Sequence, residues 1–62
     1  METIKEILMR KYIMTADGAE AVIQEAAKDL ADRLENGEDA DDICQEWFGL
    51  EPDYLFELIE YL

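Results

Sequence analysis

Ala19, Val22, Ile23, Ala26, Ala27, Leu30 and Leu34 recur at three- and four-residue steps, the spacing that places side chains on one face of an α-helix. The pattern predicts a long helix capped at Thr15 or Asp17 and stopped at Gly37 after Asn36. The Ala-rich half of its face admits a neighbouring helix closely, and Asp29–Arg33 and Lys28–Asp32 stand four apart, predicting two surface ion pairs. Before it, Thr3 followed by Glu6 reads as a capping box, with Ile4, Ile7 and Leu8 on one face. That first helix is expected to start at Thr3 and end between Lys11 and Met14.

Beyond Gly37 the acids of Glu38–Asp42 are expected to open a third helix, where negative charge suits the helix dipole. Ile43, Cys44, Trp47 and Phe48 form its apolar edge and Gly49 ends it. Glu51 then reads as a cap and Pro52 as the first residue of a fourth helix, with Leu55, Leu58, Ile59 and Leu62 as its central stripe. Strand-like alternation is absent from the sequence. The prediction is therefore an all-α bundle of four short helices in one domain spanning residues 1–62.

The fourth helix is apolar over a wide arc. At about 100° per residue, Tyr54 and Tyr61 fall along one margin of the stripe and Phe56 beyond the other. One small core does not cover all of that. Either the first helix packs on one margin, or an aromatic margin stays open for a partner or a second copy.

Residues 43–62 resemble the helix-turn-helix motif. Ile43 begins the first helix, Cys44 fills its small-residue position, Trp47 is an apolar anchor, Gly49-Leu50 makes the turn, and Leu55, Leu58 and Ile59 form the buried side of the second helix. The resemblance implies that the second helix enters a DNA groove, yet the face opposite its stripe presents Asp53, Glu57 and Glu60. Such a face repels phosphate. The helix pair is thus expected to serve as scaffold for a surface that meets protein.

Charge sharpens this expectation. Residues 1–14 carry Lys5, Arg10 and Lys11 against Glu2 and Glu6, while residues 15–62 carry Lys28 and Arg33 against fifteen acids, and from Leu34 onward ten acids stand with no cation. With a formal net charge of −12, direct nucleic-acid binding is disfavoured. The cations Lys5, Arg10 and Lys11 are expected to dock on the acidic body, within one chain or between two. A composition 50% apolar and 35% charged is globular, although self-repulsion opposes compaction. No apolar run reaches the roughly 18 residues of a membrane span, and the N-terminal region lacks a signal-peptide core. The lone Cys44 cannot form an internal disulfide, which points to a reducing, cytoplasmic setting.

Chemistry is restricted by inventory. The chain has no His, no Ser, one Cys and two Thr, so Cys44 has no base to activate it and reads as a packed core residue. Asp39-Ala40-Asp41-Asp42 has the look of a calcium loop, but Ile43 and Cys44 stand where the loop needs an oxygen ligand and Gly. Neither a metal nor a cofactor is expected, nor catalysis. The sequence instead predicts a non-catalytic protein-interaction module of bacterial or phage type. It would meet a basic protein through Trp47, Tyr54, Phe56 and Tyr61 as apolar contacts, with Asp41, Asp42, Glu46, Asp53, Glu57 and Glu60 supplying the field. Two other readings stand beside it: a DNA-mimic inhibitor, since small acidic phage and mobile-element inhibitors are similar in size and charge, and a structural homodimer subunit.

Overall fold

The structure, a computed structural model, describes residues 2–62, and its first helix begins where the capping box places it. Helix α1 spans Ile4–Lys11. The Thr3 hydroxyl accepts from the Glu6 N–H at 3.1 Å, and the Glu6 carboxylate accepts from the Thr3 N–H at 3.1 Å, so two donors left open by the helix start are closed. Helix α2 spans Ala16–Glu35 and is capped by Thr15, whose hydroxyl accepts from the Gly18 N–H. Helix α3 spans Ile43–Phe48, and a 3-10 turn, Pro52–Tyr54, leads into α4, Leu55–Ile59. Among the described residues there are four α-helices and no strand, the all-α class that the periodicity predicts.

The twenty residues of α2 run about 30 Å and set the long dimension of a molecule measuring 34 × 20 × 17 Å. The other helices pack along it. Ile4 and Leu8 of α1, Ala19, Ile23, Ala26, Ala27 and Leu30 of α2, Ile43, Cys44 and Phe48 of α3, and Leu58 of α4 form one buried cluster, joined by Ala40. The alanines let α2 sit close to its neighbours, and Phe48 supplies bulk where the short helices have little.

Three turns shape this packing. Ile13, between α1 and α2, is held at φ 55°, the left-handed region that a β-branched residue rarely adopts. Its conformation folds the Met14 N–H back onto the Leu8 carbonyl at 3.4 Å. Gly37 and Gly49 take φ 71° and 67° after α2 and α3, the positions where the sequence predicts helix stops. Across the molecule, the Tyr12 hydroxyl donates to the Phe48 carbonyl at 3.1 Å, closing an open acceptor at the end of α3.

Several expectations are corrected. Leu34 is 55% exposed, because the elements packed on α2 are short and the core cluster stops at Leu30. Lys28 reaches Glu25 at 4.0 Å rather than Asp32. The acids of residues 38–42 precede α3 instead of opening it: the Asp39 carboxylate accepts from the Asp41 N–H at 2.9 Å in a local turn, and Asp42 occupies the cap position without a side-chain hydrogen bond. Glu51 likewise caps by position only. The predicted central stripe of α4 is not buried as a unit, since only Leu58 is fully covered while Ile59 and Leu62 face outward. Its end is tightened, with Tyr61 and Leu62 N–H groups donating three residues back to the Leu58 and Ile59 carbonyls. Three-residue closure eclipses side chains three apart, which sets Leu62 above Ile59 on the open side.

Candidate functional site

In α4, Leu58 points into the core with Tyr54 and Leu55 half-buried beside it. The opposite side carries Phe56, Ile59 and Leu62, exposed by 77%, 41% and 60%. Three large apolar side chains at three-residue steps, facing water together, form the kind of patch that marks an interaction surface. Tyr61 turns toward α2. With Leu62 it forms one wall of an open groove of about 350 Å³, lined on α2 by Gln24, Ala27, Lys28 and Ala31.

The carboxylates assigned to the field divide into two groups. Asp53 and Glu60, three residues before and four after Phe56, are exposed, as are Asp41 and Asp42, and none of them pairs with a cation among the described residues. Glu57 and Glu46 are occupied internally. The Glu57 carboxylate accepts from the Ile4 N–H at 2.8 Å, placing a negative charge on the start of α1 and binding the fourth helix to the first. It is therefore a structural group, half-buried, and not a member of an outward face. Glu46 accepts from Arg33 at 2.6 Å.

Arg33 also pairs with Asp29 at 3.1 Å, and the Trp47 indole N–H donates to the same Asp29 carboxylate at 3.0 Å. Trp47, expected as an apolar anchor and a partner contact, is 39% exposed, with its polar edge drawn to α2. The Trp47 hydrogen bond, with Arg33 beside it, holds the Asp29 carboxyl below the usual aspartate range. Asp29 has no place among the sequence-predicted site residues; its spacing to Arg33 is visible in the chain, but the Trp47 contact is not.

The cations also settle within the chain. Lys5 reaches Glu20 of α2 at 3.3 Å, Arg10 meets Glu2 through both carboxylate oxygens, and Lys11 lies over the Tyr12 ring at 5.6 Å. At the end of α1 and in the turn after it, Met9, Tyr12 and Ile13 are exposed, the last of these by 89%. Sequence reasoning misses Met9, Ile59 and Leu62 as surface groups, the last two because they fit a core stripe.

Cys44 is fully covered, and burial, with the Glu57 carboxylate adding to it, pushes the thiol up from its ordinary range. Among the described residues no group of three His, Cys, Asp or Glu side chains is placed to hold a metal ion, and no helix is long and apolar enough to cross a membrane. Comparison with protein-family models, curated proteins and solved structures finds no match for this chain.

Proposed function

We propose that the chain is a non-catalytic binding module for a basic protein, working through the outward side of α4. One observation carries the reading: Phe56, Ile59 and Leu62 stand exposed together beside Asp53 and Glu60, carboxylates with no cation partner among the described residues. Apolar side chains supply affinity on desolvation, and uncompensated charge at the rim steers a cationic partner and selects for it. Trp47 and Tyr54 contribute less than Phe56, because one is tied to Asp29 and the other is half-buried. The helix pair of residues 43–62 then acts as scaffold, and the buried, reduced Cys44 suits the cytoplasm.

A DNA mimic needs rows of carboxylates with little apolar surface between them, which the α4 row does not offer. The discriminating experiment is capture from a lysate at low and high salt, with the chain and its Phe56→Ser/Ile59→Ser variant side by side. The reading requires a basic protein retained by the chain and lost with the variant. Equal retention by both, or elution by competing duplex DNA, rejects it.

A further inference from the structure

We infer that the partner element seated on α4 is an amphipathic α-helix with Lys or Arg along one flank of its apolar stripe; this rests on the binding reading above and specifies its occupant. Phe56 and Ile59 stand three residues apart on α4, about 4.5 Å along its axis, the interval at which a partner helix sets its own side chains, and the three-residue closure sets Leu62 about 6 Å further on. Ridges of one helix therefore enter the gaps of the other. An extended peptide repeats same-side chains at about 6.7 Å and falls out of step with the Phe56–Ile59 interval. It also needs a sheet edge for main-chain hydrogen bonds, and the described residues contain no strand.

The charges fix the flank. Asp53 and Glu60 lie on the side of Phe56, where they receive cations, while the groove beyond Leu62 is edged by Lys28. Lys28 is only loosely engaged by Glu25 at 4.0 Å, so the partner's other flank is neutral or acidic. Ala27 and Ala31 line the groove with small side chains, and a large apolar side chain at the end of the partner's stripe occupies that recess. From Phe56 to Leu62 the row is about 10 Å long, enough for two turns of partner helix.

The test is a selection of random displayed peptides of about 15 residues, long enough for a few helical turns, on the immobilised full chain. Amide shift mapping and circular dichroism of the winners follow. The inference requires enrichment of apolar residues at i, i+3 or i+4 and i+7 with one-sided Lys or Arg, helix gained on binding, and shifts at Phe56, Ile59, Leu62, Ala27 and Ala31. Phe56→Ser/Ile59→Ser should weaken the winners roughly tenfold or more, and Asp53→Asn/Glu60→Gln should remove most of their salt dependence. Winners with every-second-residue alternation, or with cations and no apolar pattern, overturn the helical occupant and leave the binding reading standing. Absence of enrichment, or acidic winners, overturns both. Self-association of the free chain with shifts on α4 and at Met9, Tyr12 and Ile13 makes a second copy the occupant and overturns the inference as well.

Discussion

Ile13 sits at φ 55° and is almost wholly exposed, so it bears a backbone penalty with no burial to offset it. Left-handed geometry costs an L-residue about 1–2 kcal/mol, and Asn tolerates it better than a β-branched side chain. Ile13→Asn should therefore raise stability by about 0.5–1 kcal/mol, read as a higher urea midpoint at unchanged slope. At Glu57 the sign is opposite. Glu57→Ala leaves the Ile4 N–H without its acceptor and should cost about 1–3 kcal/mol, with Glu57→Gln costing less because an oxygen remains. Were Glu57 a field residue facing a partner, as its sequence position predicts, both variants would melt like the parent. The Cys44 thiol should react with a disulfide reagent only as fast as the fold opens, whereas denatured chain reacts at once. A fast native reaction would place it at the surface.

At the scale of elements, α1 and α2 are legible in the sequence because their determinants are local: Thr3 with Glu6, Thr15, the seven-residue apolar face and Gly37 lie within a few positions of the structure they specify. α3 and α4 are legible as helices but not in their facing. Six and five residues long, they are too short for periodicity to choose a side, and the tightened turn after Ile59 decides where Leu62 goes. The candidate surface is accordingly half visible: Phe56, Asp53 and Glu60 follow from position, while Ile59 and Leu62 require the packing. α2 and α3 are tied by Asp29 to Trp47 and by Arg33 to Glu46, and Asp29 also holds Arg33 in place. Its folded-state pKa lies below the unfolded value near 3.9. Its contribution is thus complete above that value and lost as pH falls through the lowered one. Acid titration followed by Trp47 fluorescence should show the indole environment changing below about pH 4, and Asp29→Asn should flatten that change while leaving Ile13 and its turn unaffected.

For the whole molecule, a net charge of −12 spread over 62 residues makes repulsion a global term. Five cations answer it, and those with carboxylate partners engage acids at or before Glu46, so residues 49–62 keep their full negative field. Salt screens that field over about 8–10 Å. The melting temperature should therefore rise with added sodium chloride, contrary to the fall expected if the ion pairs dominated stability; a scan from low to moderate salt distinguishes the two. The sequence makes the sum of charge plain, but not which carboxylates are spoken for, because Glu57 and Glu46 find partners 53 and 13 residues away.

The hydrogen bond from Ile4 to Glu57 also sets an order of events during synthesis. A ribosome delivers the first turn of α1 long before the acceptor that closes it, so α1 emerges with that amide open to water and can only be sealed once Glu57 has cleared the exit tunnel. A nascent chain arrested short of Glu57 therefore keeps a frayed leading end.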